Sequence, residues 1–330
     1  MAETPLWFMV SAFAVLAVFF IVDLLIIGRR PHVPSTAECV RHIAFFVVMA
    51  LIFGGLIWAV AGSKPALEFY SGWLTEYSLS IDNLFVFVII MANFAVPKQL
   101  QKFVLSIGIT IALVLRGIFI LLGAAIITRF TWVFFLFGAF LLVTAFKLAF
   151  GKDDDEEYHE NALIATLRKV IRISDDYDGE KLRTTKNGVK YWTPMLIVFL
   201  AIGTTDVMFA FDSIPAIFGL TKDPFIVFTS NVFALLGLQQ LYFLLGALLD
   251  KLVYLPIGLS VVLGFIGVKL IMEALHANTL PFINGGHPIH AVPEVPTWLS
   301  LAVIVLSIGI ASAASVIKMK SMEKAKDSQD

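Results

Sequence analysis

Four acids stand in stretches apolar enough to lie inside a bilayer. Glu76 and Asp82 fall in Glu76-Tyr-Ser-Leu-Ser-Ile-Asp82-Asn83, followed at once by the apolar run Leu84 to Ala92. Asp206 and Asp212 fall in Asp206-Val-Met-Phe-Ala-Phe-Asp212-Ser213, between the apolar runs Met195 to Ile202 and Ile214 to Phe218. A carboxylate near a bilayer centre costs about 2.5–3.5 kcal/mol even on the most lenient scales. Four of them need compensating positive charge, and a bound cation is the natural candidate. Asn83 and Ser213, each directly after an acid, would add neutral oxygen ligands, so the candidate metal ligands are Glu76, Asp82, Asn83, Asp206, Asp212 and Ser213.

The composition agrees with hard-cation chemistry and excludes several alternatives. The chain has 330 residues, 59% hydrophobic and 15% charged, against about 25% charged in a soluble domain. Its formal net charge of −1 gives no global basic footprint for nucleic acid. A single cysteine, Cys39, rules out an intramolecular disulfide framework or a thiolate cluster. The six histidines, His32, His42, His159, His276, His287 and His290, fall in loops or at span ends. Oxygen donors remain, and these suit Mg, Ca or Mn. No nucleophile motif, cofactor fingerprint or nucleotide-binding loop is present, so a non-enzymatic protein without a resident cofactor is expected.

The elements that must position these acids are membrane helices. Hydropathy predicts nine spans, near 7–27, 42–62, 70–94, 103–127, 131–150, 194–219, 225–249, 253–275 and 297–317, each close to the roughly 20 residues a crossing needs. The first reads as a retained helix, because no basic segment precedes it. With the N-terminus outside, inner segments hold eighteen of the lysines and arginines and outer segments three, Lys64, Arg129 and Lys222. This bias predicts a multi-pass protein of the cell's inner (plasma) membrane, N-terminus outside and C-terminus cytoplasmic.

The chain repeats weakly within itself. Spans three to five carry Glu76, Asp82-Asn83, Leu121-Leu-Gly-Ala124 and Lys147-Leu148; spans six to eight carry Asp206, Asp212-Ser213, Leu244-Leu-Gly-Ala247 and Lys269-Leu270. A unit of three spans inverts when repeated, and inverted repeats with a site at their midplane interface are a recurring transporter plan. The expected fold is therefore all-α and polytopic, about nine transmembrane helices with a three-plus-three inverted repeat. The expected division is 1–69, two N-terminal helices; 70–150, the first repeat; 151–193, a cytoplasmic loop; 194–275, the second repeat; and 276–330, an outer loop, last helix and cytoplasmic tail.

Acids six residues apart do not face the same way on a straight α-helix, which turns by about 240° net and rises about 9 Å over that interval. Either they serve two levels of a path or the helix unwinds locally. Pro215, just after Asp212-Ser213, points to a break in the sixth span. The competing reading is a purely structural polar core, the acids pairing with Arg116, Lys147 and Lys269. Arg116 lies mid-span and is expected to pair with one carboxylate; the two lysines lie towards span ends, where they can snorkel. Ser80, Thr204, Thr205 and Asn231 more readily bond neighbouring helices. Asp23, Asp250 and Glu273 read as span-boundary residues.

The inner loop from Gly151 to Tyr191 opens with the acidic run Asp153 to Glu157. Leu163, Ile164, Leu167, Val170 and Ile171, with Arg168, Lys169 and Arg172 opposite, predict a helix on the inner membrane surface. Leu182 to Trp192, turning at Lys186-Asn-Gly188, predicts a β-hairpin. Ser174 to Gly179 fails as a calcium loop, since its first and twelfth positions would be Ser174 and Thr185.

Both acid motifs, together with Asp223-Pro-Phe-Ile-Val-Phe-Thr-Ser-Asn231 and the turn Lys186-Asn-Gly188, resemble the signatures of the TerC family of integral membrane proteins, over about residues 5–275. Members of that family, the Alx proteins among them, are associated with manganese export and, by name, with tellurium resistance; the family is grouped with LysE-type exporters. The resemblance implies Mn²⁺ efflux and metal homeostasis, with the four acids as the metal path. Two positions depart from the family pattern: Gly203 stands where many relatives carry glutamate, and Gln239 where many carry arginine. The expected partners are a divalent cation, the lipid bilayer and membrane-complex proteins at the cytoplasmic loop, with no nucleic acid. The alternatives are a non-transporting scaffold in tellurium or metal-stress resistance, and an exporter of an organic cation.

Overall fold

The structure is a computed structural model. It describes residues 4–27, 35–130, 132–150, 171–186, 188–245, 254–278, 280–281, 283–289, 291–293 and 295–327. The side chains of Asp82 and Asp212 lie outside the description although their helices lie within it. The acidic run at Asp153, the surface helix expected over 163–170, and Asp250 also fall outside the described residues.

The protein is an all-α polytopic membrane protein. Among the described residues its helices are α1 (Leu6–Ile27), α2 (Thr36–Ala61), α3 (Ser63–Asn93), α4 (Lys98–Arg129), α5 (Val133–Phe150), α6 (Pro194–Phe218), α7 (Pro224–Leu235), α8 (Leu238–Leu245), α9 (Leu255–His276) and α10 (Thr297–Asp327). Among the described residues eight spans are long and apolar enough to cross a membrane, and Leu6–Val18 adds a shorter apolar stretch. Large apolar side chains such as Trp7, Leu121, Phe146 and Ile310 face outward, as bilayer solvation requires. A small hairpin, β1 (Arg183–Lys186) and β2 (Val189–Trp192), precedes α6, with Lys186 opposite Val189. Gly188 supplies the positive φ (77°) of its two-residue turn.

Two expectations about helix breaks are corrected. The sixth span does not break at its acids: α6 runs unbroken from Pro194 to Phe218 with Pro215 inside it. That proline stands in the last turn, where its missing N–H removes a single bond and the helix is about to end anyway. The seventh span, expected to be continuous, is divided between α7 and α8. Leu236 leaves helical geometry (φ −59°, ψ 57°), and Gly237 takes φ 158°. The third helix also starts earlier than hydropathy suggests, at Ser63, so Glu68 belongs to α3.

Close contacts fix helix directions. Thr221, just past α6, bonds Glu68 near the start of α3, and Ile217 packs 3.5 Å from where a Gly72 Cβ would lie. Thus α3 and α6 run antiparallel. Gly108 meets Ile202 and Gly123 meets Phe218, so α4 and α6 run parallel. The extensive packing partners are reciprocal: α3 with α7, α4 with α6, and α5 with α9. At the α5–α9 crossing, Gly138 and Gly267 let backbones touch; a Cβ on either would lie 2.8–2.9 Å from the other's carbonyl oxygen.

Three apolar clusters hold the bundle, and α3 threads all of them. Phe69 and Trp73 pack with α1, α2 and α7. Leu79 packs with α5, α6 and α9. Leu84, Phe87 and Ile90 pack with α4, α6 and α8. Glu76 lies between the first and second of these groups along the helix.

Candidate functional site

Arg116, on α4, is 1% exposed. Its Nη2 lies 2.8 Å from Asp206 Oδ1, and its Nε donates to Asp206 Oδ2 at 3.1 Å, a two-pronged pairing that suits the planar guanidinium. Nη1 pairs with Glu76 Oε1 and donates to Asn231 Oδ1 at 3.2 Å. One cation therefore joins α3, α4, α6 and α7. Asn231 donates in turn to Val227 carbonyl at 3.0 Å, which fixes its amide with the oxygen toward Arg116.

The pairing leaves negative charge over. Glu76 is fully buried and Asp206 is 2% exposed, and the two share one guanidinium. Ser80 reaches Glu76 Oε1 only at 3.5 Å. Glu76 Oε2 and Ser213 Oγ are buried without a hydrogen-bond partner among the described residues. On α6, Asp206, Ala210, Ser213 and Ile217 follow helical spacing along one face. Because Ile217 meets Gly72, the antiparallel register puts Ser213 level with Glu76, four residues further along each helix. Buried oxygens of this kind can take an ion or a water as partner. Thr75 Oγ1 and Ser71 Oγ, on α3, are likewise orphaned.

The other sequence candidates divide. Asn83 is half-buried on α3. Thr204 donates within α6 to the Leu200 carbonyl, so its hydroxyl serves its own helix. Lys147 is exposed, and Lys269 donates to Ser300 at 3.3 Å; neither shares in the Arg116 pairing. Glu273 pairs with Lys222. Gly203 faces Ile111, and Gln239 donates to the Lys102 carbonyl at 3.1 Å; the two positions meet α4 nine residues apart. Among the described residues no three His, Cys, Asp or Glu side chains cluster as a metal site. Asn231, expected to bond a neighbouring helix, does so through Arg116 of α4; its place in the acid–arginine centre is what the sequence did not indicate.

Comparison with known proteins agrees with this architecture. A protein of Mycobacterium tuberculosis described as an uncharacterized membrane protein is 47% identical over 304 residues, covering 91% of this chain and 76% of its own. One from Myxococcus xanthus, also described as an uncharacterized membrane protein, is 40% identical over 298 residues, covering 90% and 88%. Alx of Escherichia coli, whose description proposes a membrane-bound redox modulator, is 40% identical over 268 residues, covering 78% and 83%. No solved structure matches the chain. The profile of the integral membrane protein TerC family matches residues 61–323, and the chain belongs to that family.

Proposed function

We propose that the protein exports a divalent metal ion, Mn²⁺ first, across the cell's inner membrane, and that the polar centre between α3, α4 and α6 lies on the ion's path. The observation that carries this reading is the charge imbalance around Arg116. Glu76 and Asp206 share that single guanidinium, Glu76 Oε2 has no hydrogen-bond partner among the described residues, and the same two helices carry Asp82 and Asp212 as well. Carboxylate and hydroxyl oxygens are the donors that hard divalent ions take. Arg116 offsets part of the charge, holding the acids together without filling the role of the ion. Asp82, Asn83, Asp212 and Ser213 complete the proposed ligand set. The reciprocal packing of α3–α5 against α6–α9 supports two inverted units with the site at their interface.

The lysine and arginine bias supports an N-outside, C-cytoplasmic orientation, and the 151–193 segment, on the cytoplasmic side, is the proposed place for membrane-complex partners. The reading is non-enzymatic, and Mn²⁺ is cargo. A scaffold role in tellurium or metal-stress resistance is the second reading; it needs no ion at the centre, where water would satisfy the orphaned oxygens. Direct dithiol redox chemistry, which the description of Alx could suggest, is not available within this chain, whose one cysteine is Cys39. Mn²⁺ flux into or out of liposomes containing the purified protein tests the proposal; metal-dependent flux supports export, and its absence favours the scaffold.

A further inference from the structure

At the end of the bundle where α3 starts and α6 and α9 finish lies a cavity of about 850 Å³. Glu68, Asp223 and Glu273 line it, as do Lys64, Lys222 and Lys269. The acids and bases balance in number. Glu68 is the recessed acid, its side chain 13% exposed, and its Oε2 accepts from the Thr221 hydroxyl at 2.6 Å. Glu273 is committed to Lys222.

From Glu68 to Glu76 is eight residues of α3, a rise of about 12 Å. The last turn of α6 closes this interval. Ile217 sits against Gly72, and Phe218 packs so tightly on Gly123 that a Cβ there would come within 2.7 Å of its ring. Both side chains are buried, at 0% and 1% exposure. On one side of this apolar plug are the orphaned Ser213 Oγ and Glu76 Oε2; on the other is the charged cavity. Pro215 stands in the same turn and cannot donate to the Phe211 carbonyl, so the turn is held by fewer bonds than the rest of α6.

Building on the cation reading above, we propose that this cavity is the exit vestibule for the divalent cation, that Glu68 is the first carboxylate met there, and that Ile217 and Phe218 form the gate. Opening needs the last turn of α6 to swing from Gly72 and Gly123, which connects the midplane oxygens to the vestibule. The cavity's ammonium groups keep the leaving ion from being held.

The gate is tested by thiol labelling, which requires no metal. In a Cys39→Ser background, Ser213→Cys is exposed to a membrane-impermeant methanethiosulfonate reagent added on the Glu68 side. Labelling is expected to be slow with the native gate and to rise about tenfold or more when Ile217→Ala and Phe218→Ala shift the population toward open. Gly72→Ala, whose Cβ would crowd the Ser230 hydroxyl at 2.9 Å and add a van der Waals contact to Ile217 at 3.5 Å, should slow it. Glu68→Gln should cut Mn²⁺ efflux severalfold while leaving the labelling rate unchanged. Equal labelling of native and gate variants, in protein that stays monodisperse in detergent, overturns the gate. Wild-type efflux by Glu68→Gln overturns the role of that carboxylate. Gate-dependent labelling in a protein that moves no Mn²⁺ overturns the cargo reading and leaves the gate standing.

Discussion

Arg116 on α4 and Asp206 on α6 make a paired contact, with Nη2 2.8 Å from Oδ1 and Nε 3.1 Å from Oδ2. The same guanidinium holds Glu76 of α3. Breaking a buried pair by removing one partner costs about 3–5 kcal/mol. Arg116→Gln strands two carboxylates, so its loss of stability is expected to reach this range, read as a lowered midpoint of thermal unfolding in detergent. Arg116→Lys should recover only part of it, since an ammonium cannot span both acids in the planar geometry. Equal midpoints for all three proteins would count against the pairing.

Glu76, Asp206 and Arg116 were legible in the sequence because a charge in the middle of an apolar run has nowhere to go but the protein interior. What they pair with was less legible. Asn231 lies 115 residues from Arg116, and no local pattern announces that bond. Pro215 suggested a break that α6 does not make, since a proline in the last turn disrupts little. The real discontinuity, at Leu236–Gly237, sits in Leu-Leu-Gly-Leu, and glycine is too common in membrane helices to mark a break by itself. The start of α3 was hidden from hydropathy because Lys64 and Glu68, four residues apart, extend the helix beyond its apolar part.

Gly138→Leu should weaken the α5–α9 crossing. Its new side chain would meet the Gly267 carbonyl and the Ile271 side chain, and overpacking of this kind costs about 1–3 kcal/mol. Thermal unfolding in detergent measures it, with Gly55→Leu, which meets nothing within 4 Å, as the comparison. Equal loss in both variants would remove the close-approach argument.

Tyr177 ties the loop before the hairpin to the C-terminal end of α3, its hydroxyl donating to the Phe94 carbonyl at 2.7 Å. Burial pushes its phenol up to about 12 from the ordinary 10.0. A raised pKa means the neutral form is favoured on folding. Its contribution is therefore complete below pH 10 and lost as pH rises through about 12. The stability difference between wild type and Tyr177→Phe should stay constant from pH 7 to 9 and shrink above pH 10. A difference already vanishing at pH 8 would contradict this.

The most direct test of the central claim is Mn²⁺ flux through purified protein in liposomes, compared with Ca²⁺ and Mg²⁺ across a pH gradient, for wild type, Asp82→Asn, Asp212→Asn and Asp153→Asn. Each span substitution keeps size and removes the anionic oxygen that repays a hard cation for its lost water. Wild type and Asp153→Asn are expected to move Mn²⁺ alike, because Asp153 stands outside the predicted spans. Asp82→Asn and Asp212→Asn are expected to insert normally and move none. Mn²⁺ flux at wild-type rate in both span variants would contradict the metal path.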